Sequence, residues 1–130
     1  MDENNGFEIP AKLPGLNEII GAARSGWATG AKQKRDTETL IGFYINQAKR
    51  KHRLRAVKEP VEIWITWQER TRRRDVDNIE AGAKFILDAM KNAGIIIDDS
   101  RKYVRQVRHE ITDGKTDKVF VKIIKIPIDK

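Results

Sequence analysis

Two carboxylates directly after a run of arginines are the side chains of this sequence best suited to phosphate chemistry. Asp75 and Asp77 stand two positions apart and follow Arg72-Arg73-Arg74. Residues i and i+2 of an extended chain project to the same side, so the spacing predicts that both carboxylates face one ion. Mg²⁺ is commonly held by one or two carboxylates together with water and phosphate oxygens. Because arginine binds phosphate oxygens bidentately, the segment indicates metal-assisted chemistry on a phosphate ester.

A purely structural interpretation of the same segment is also open. Asp77 followed by Glu80 fits the start of a helix, where an aspartate caps the backbone and a glutamate three residues later bonds back to it. Arginines beside aspartates can also form a solvated ion-pair cluster that binds nothing else. The segment alone does not decide between these interpretations.

A second acidic pair, Asp98 and Asp99, follows the apolar run Ile95-Ile96-Ile97. We predict that this β-branched run is extended, and successive residues of a strand point to opposite faces. Only one of the two carboxylates therefore needs to face a site formed with Asp75. An ordinary pair of aspartates in a turn is the alternative.

Chain geometry limits how this second pair can reach the first. A helix from Asn78 to Asn92 is about 22 Å long, and the extended residues from Ile95 to Asp99 cover about 16 Å. Asp99 can therefore approach Asp75 within one chain only if its segment runs back beside the helix. Otherwise Asp99 would have to meet the site of a partner subunit.

Two apolar stripes predict the helices that would position these residues. Between residues 31 and 54 the apolar side chains recur at three- and four-residue spacing, namely Leu40, Ile41, Tyr44, Ile45 and Ala48. Between residues 78 and 92 a similar stripe is formed by Ile79, Ala83, Ile86 and Met90. Gly94 is expected to end this second helix. A shorter helix is predicted over residues 16–24, after the turn at Pro14-Gly15.

Alternating side chains predict the strands. Val61, Ile63 and Ile65 alternate with more polar neighbours, which is typical of a strand over residues 61–67. Residues 103–111 and 119–126 are predicted to be two strands joined by the turn Asp113-Gly114, and residues 7–9 a short strand. With residues 95–97, the order is β-α-α-β-α-β-β-β. It favours a small single α+β domain over residues 1–130, with helices packed against a mixed sheet.

Composition restricts the partners and the chemistry. The 26 lysines and arginines exceed the 19 acidic residues, and the resulting net charge of +7 favours an anionic partner. The absence of cysteine excludes disulfides, thiolate zinc sites and cysteine nucleophiles. No apolar run approaches the roughly 18 residues of a membrane helix, and the acidic start lacks an apolar signal core. We therefore expect a cytoplasmic protein without a membrane partner.

Several segments resemble the RusA family of Holliday junction resolvases. They are Arg74-Asp75-Val76-Asp77-Asn78, Lys84-Phe85-Ile86-Leu87-Asp88-Ala89, Ala93-Gly94 and Asp98-Asp99, with a looser similarity at Leu13-Pro14-Gly15-Leu16-Asn17-Glu18. The resemblance implies a RusA-like fold and a homodimer that cuts branched DNA with Mg²⁺ or Mn²⁺. It also implies a bacterial cell and a prophage or phage origin.

By position, the resemblance implies roles for four residues. Asp75 and Asp77 match the paired metal-binding aspartates of the family. Asp99 matches its third essential aspartate, and Lys84 matches its catalytic lysine. The spacing from Asn78 to Lys84 is longer than in the best-known member by nearly one helical turn, so Lys84 can keep its face of the helix.

The function expected from this resemblance is that of a Mg²⁺-dependent, structure-selective endodeoxyribonuclease. It would resolve four-way DNA junctions by paired phosphodiester hydrolysis in DNA recombination and repair. Backbone phosphates would be bound by Arg72, Arg73, Arg74, Lys49, Arg50, Lys51, Arg53, Arg55, Arg101, Lys102, Arg105 and Arg108. A non-catalytic basic DNA-binding protein would show the same charge, but it leaves the acidic residues unexplained. A metal-dependent phosphatase acting on small nucleotides is a third alternative, for which the sequence offers no phosphate-binding loop motif.

Overall fold

Four strands and four helices build the fold that a computed structural model shows for residues 4–126. In chain order they are β1 (Gly6–Ile9), α1 (Leu16–Arg24), α2 (Trp27–Arg50), β2 (Val61–Glu69), α3 (Val76–Glu80), α4 (Ala83–Asn92), β3 (Val104–Asp113) and β4 (Lys118–Lys125). The predicted α+β class is therefore confirmed. Within these residues, none of the helices combines the length and the hydropathy that crossing a membrane requires.

The sheet is mixed, as predicted, and has the strand order β1-β4-β2-β3. In the centre of the sheet, β2 pairs in parallel with β3 and antiparallel with β4. Its inward side chains include Ile63, Ile65 and Trp67, which are buried in one core with the apolar faces of α2 and α4. Because alternate side chains of a strand face opposite sides, the helices cover one face of this sheet and leave the other open.

The predicted hairpin between the last two strands is wrong, because β2 lies between β3 and β4. The connecting loop crosses the end of β2 and is bonded to it. The backbone N–H of Gly114 donates to the carbonyl of Glu69 (3.1 Å), and the Gln68 side chain donates to the carbonyl of Thr116 (2.8 Å). The loop passes over the end of β2 and is held there by these bonds. β4 therefore pairs with the edge of β2 opposite to the one that pairs with β3.

The long helix begins and ends earlier than predicted. It spans Trp27–Arg50 rather than residues 31–54, and His52 follows it in a left-handed conformation with φ of 58°. The N–H groups of His52 and Arg53 donate to the carbonyls of Lys49 (3.1 Å) and Ala48 (2.9 Å). This pair of bonds is the Schellman arrangement, which satisfies the last carbonyls of a helix and stops it.

The predicted strand at residues 95–97 is wrong, and the segment is a bend instead, in which Ile97 is 49 % exposed. Gly94, with φ of 75°, ends α4, and the N–H of Ile95 bonds back to the carbonyl of Met90 (2.9 Å). Ile95 and Ile96 are buried in the core, and the carbonyl of Ile95 accepts a bond from the N–H of Val57 (2.8 Å). The apolar character of Ile95 and Ile96 therefore reflects burial and not pairing in the sheet.

Candidate active site

The first two aspartates lie at the start of a short helix. Asp75 is the N-cap residue of α3, with an extended backbone (φ −74°, ψ 162°), and its side chain makes no capping bond. Asp77 lies in the first turn, where its Oδ1 accepts the N–H of Asn78 (3.0 Å). The predicted extended geometry is therefore present at Asp75 but wrong for Asp77, which is helical, and the alternative in which Asp77 is the cap is also wrong. Both carboxylates are nevertheless exposed at one helix end.

The arginine before this pair is buried. The Arg74 and Glu69 side chains are each 7 % exposed, and their ion pair is bidentate, at 2.6 Å from Nη2 to Oε2 and 3.1 Å from Nε to Oε1. The remaining Nη1 of Arg74 donates to the carbonyl of Leu13 (3.0 Å). This guanidinium therefore binds protein groups on every side, in contrast to the DNA contact expected for it. It fixes the backbone that leads into Asp75.

The asparagine after the pair is anchored to the same early segment of the chain. Its Oδ1 accepts the N–H of Asn17 (3.0 Å). A Cβ atom at Gly15 would lie 2.5 Å from Oδ1 of Asn78 and 2.9 Å from Nη1 of Arg74, so this close approach requires glycine. The two residues that flank the aspartates thus hold them against residues 13–17. Sequence reasoning missed this contact, and the joint resemblance of both segments was the only signal for it.

The third predicted aspartate meets the predicted lysine. Asp99 Oδ2 lies 3.4 Å from Nζ of Lys84, the second residue of α4. The segment after Gly94 therefore runs back beside α4 within one chain, which is the condition that the chain geometry set. Its neighbour Asp98 pairs instead with Lys91 (3.2 Å), and this hydrogen bond lowers the pKa of Asp98.

A fourth carboxylate at this site was not predicted. Asp88 Oδ1 lies 3.2 Å from Nζ of Lys84, one helical turn away on α4. The hydrogen bond and charge of Asp88 raise the pKa of Lys84, and Asp99 adds to the effect. Lys84 is therefore a cation at neutral pH. A cation of this kind can neutralise charge on a phosphate.

The donor set fits a hard divalent ion through two of the three predicted carboxylates. Asp75 and Asp77 offer exposed oxygens to such an ion, and Mg²⁺ normally keeps several waters beside one or two carboxylates. Asp99 binds Lys84, and among residues 4–126 no three histidine, aspartate or glutamate side chains come close enough to hold a metal. The set of three carboxylates therefore stays a prediction.

The predicted DNA-binding residues fall into separate groups. Exposed cations at the end of α2 and just beyond it are Lys49, Arg50, Lys51, Arg53 and Arg55. A second exposed group follows Asp99, namely Arg101, Lys102 and Arg105. Arg73 is exposed, Arg72 pairs with Asp113 at the surface (2.6 Å), and Arg108 lies over the Trp64 ring, 4.8 Å from its centroid. All of these side chains, unlike Arg74, remain accessible to a ligand.

The first of these groups is distant from Lys84. Lys34, in the first half of α2, lies 3.6 Å from Asp88 and so marks the part of the helix that is close to Lys84. Lys51 follows Lys34 by almost five turns, which corresponds to about 25 Å along the helix axis. A ligand that contacts both regions must therefore be extended.

Comparison with known proteins assigns the chain to a family. The family model described as endodeoxyribonuclease RusA matches residues 17–124, which is most of the chain and includes every candidate site residue above. Among curated proteins, none matches the chain.

Proposed function

The chain belongs to the RusA family of endodeoxyribonucleases, and we propose that it resolves four-way DNA junctions by Mg²⁺-dependent hydrolysis. The family assignment implies a Holliday junction resolving endodeoxyribonuclease. The observation that carries the proposal is the match over residues 17–124, which spans Asp75, Asp77, Lys84 and Asp99. The exposure of Asp75 and Asp77 and the ion pair between Lys84 and Asp99 support the proposal.

In this proposal the carboxylates and the lysine divide the chemistry. Asp75 and Asp77 would hold Mg²⁺ or Mn²⁺, and Asp99 would complete the set. When bound, such an ion supplies a nucleophilic water and stabilises charge on the scissile phosphate. Lys84, already protonated, donates to a phosphate or leaving oxygen. Arg74 and Asn78 keep the two leading carboxylates in place through residues 13–17.

We propose a homodimer because of the symmetry of the substrate. A four-way junction has two-fold symmetry, so a homodimer of single domains would place one site at each of two opposed strands and make paired cuts. This activity belongs to DNA recombination and repair. A cytoplasmic location in a bacterial cell, with a prophage or phage origin, is part of the same proposal.

The assay that tests the proposal compares a four-way junction with a linear duplex of the same sequence, with and without Mg²⁺. We expect symmetric nicks in the junction, dependent on Mg²⁺, and little cutting of the duplex. Tight junction binding without nicking at any Mg²⁺ or Mn²⁺ concentration would contradict the nuclease. That result would favour the non-catalytic DNA-binding protein.

The basic residues at the end of α2 are proposed to bind backbone phosphates. Replacing Lys49, Arg50 and Lys51 with glutamine should lower the slope of log K against log salt by up to about 3, because each lost phosphate contact removes roughly one unit. The measurement is junction affinity between low and moderate NaCl concentrations.

A matched triple variant removes the same charge elsewhere. Arg35, Lys58 and Lys115 are exposed and lie outside the proposed DNA-binding groups. Their replacement with glutamine should leave the salt slope nearly unchanged. Equal slopes for the two triple variants would show that only the total charge matters and not its position.

A further inference from the structure

An unbroken series of ion pairs leads from α2 to the candidate site. Its members alternate in charge, in the order Glu38, Lys34, Asp88, Lys84 and Asp99, and we call it the ion-pair series. The distances between charged atoms along it are 2.6, 3.6, 3.2 and 3.4 Å. Two of its members come from α2, two from α4 and one from the segment after α4. The series therefore connects three parts of the chain to one lysine.

Asp88 is the central member and is largely buried. Its side chain is 15 % exposed and lies between Lys34 and Lys84, whereas the Lys84 side chain is 68 % exposed. Glu38 completes the support on α2, because it accepts hydrogen bonds from Lys34 and from the Asn92 side chain (3.3 Å). A largely buried carboxylate thus contacts an exposed amine.

We propose that Asp88 is a positioning residue, which holds the Lys84 amine at the reacting phosphate while Lys34 and Glu38 hold Asp88. This inference rests on the proposed function, in which Asp99 would help to hold the divalent ion. Asp88 then remains as the carboxylate partner of Lys84. A lysine amine has three donors, so one bond to Asp88 leaves the others for phosphate oxygens.

Loss of the Asp88 charge is expected to change folding stability only slightly. This expectation distinguishes a positioning role from a structural one. Both lysines that pair with Asp88, Lys84 and Lys34, are more than half exposed, and ion pairs of exposed lysines contribute little to folding. A misplaced reacting group, in contrast, can slow a reaction by about a hundredfold. Loss of the Asp88 charge should therefore lower the cleavage rate without a matching loss of stability.

The test uses the full chain, a four-way junction and saturating Mg²⁺. Asp88→Asn should reduce the single-turnover cleavage rate by about tenfold to a hundredfold, with little change in junction affinity or in Tm. In a Lys84→Ala background, the same change should alter the rate by less than about twofold, because the two residues act as one unit. Asp88→Glu, which keeps the charge, should restore part of the rate.

Asp36→Asn is the matched control. It removes the charge of another aspartate that forms an i,i+4 pair with a lysine, Lys32 (2.6 Å), and it should cleave at the parent rate. The proposal is overturned if Asp88→Asn cleaves like the parent while Lys84→Ala is impaired. It is also overturned if Asp88→Asn slows both backgrounds equally, which indicates a structural role. If Lys84→Ala and Asp77→Asn both cleave normally, the proposed function itself is wrong.

Discussion

Asp77→Asn is expected to bind a four-way junction as tightly as the parent and to cleave it more than about a hundredfold more slowly, since even partners of metal ligands cost up to that factor. Asparagine has nearly the shape of aspartate and keeps the Oδ1 that accepts the N–H of Asn78. The start of α3 should therefore stay intact. What is lost is the negative charge that a hard divalent ion requires.

Single-turnover cleavage at saturating protein and a separate measurement of junction Kd in Ca²⁺ distinguish the two effects. Asp36→Asn, which changes an exposed aspartate on α2, controls for the loss of one negative charge. Cleavage by Asp77→Asn at the rate of this control would remove Asp77 from the proposed metal site. A weaker Kd with unchanged chemistry would assign Asp77 to DNA binding.

Arg74→Ala is expected to lower the free energy of unfolding by about 3–5 kcal/mol, because it leaves a buried carboxylate without its cation. Glu69 would lose two hydrogen bonds, and the carbonyl of Leu13 a third. The backbone before Asp75 would also lose its attachment. We therefore expect cleavage to fall even at temperatures where the variant remains folded.

Arg72→Ala provides a matched comparison within the same run of arginines. Its guanidinium also makes two bonds to one carboxylate, that of Asp113, but its side chain is 85 % exposed. Exposed ion pairs contribute little, so urea denaturation should show almost no change in this variant. Equal destabilisation by the two variants would mean that burial of the Arg74 pair does not determine its strength.

The parts of the fold that could be predicted from sequence are those whose burial repeats along the chain. Ile63, Ile65 and Trp67 alternate on β2, and the apolar stripe of α2 includes the buried Ile41 and Ile45. The spacing of apolar residues predicts which face of a strand or helix is buried. They do not report which strand lies on which side of β2. The Asp113-Gly114 signal therefore predicted a hairpin turn, whereas β3 ends at Asp113 and is followed by a loop with a bend at residues 115–116.

Short apolar runs were the second source of error. Ile95 and Ile96 are β-branched and buried, which suits a strand and a buried bend equally well. The difference lies in their bonds, because Ile95 bonds back to α4 and across to Val57. The bond to Val57 joins residues that are far apart in sequence, so no local pattern reveals it.

The same reasoning explains which parts of the site could be predicted. The spacing of Asp75 and Asp77 was visible along the chain, and its chemistry could be argued directly. The burial of Arg74 could not, because one of its partners, the carbonyl of Leu13, is far away in sequence. Asp88 was overlooked although its i,i+4 spacing from Lys84 was visible in the sequence, whereas its contact with Lys34 on a different helix was not.

The length of α2 has a consequence for the size of the substrate. The stretch of about 25 Å from Lys34 to Lys51 along α2 equals roughly seven base pairs at 3.4 Å per pair. A junction whose arms are shorter than this cannot engage the cations after α2 while its branch point lies near Lys84. Oligonucleotide junctions with very short arms should therefore lose this contact, however well their centres are formed.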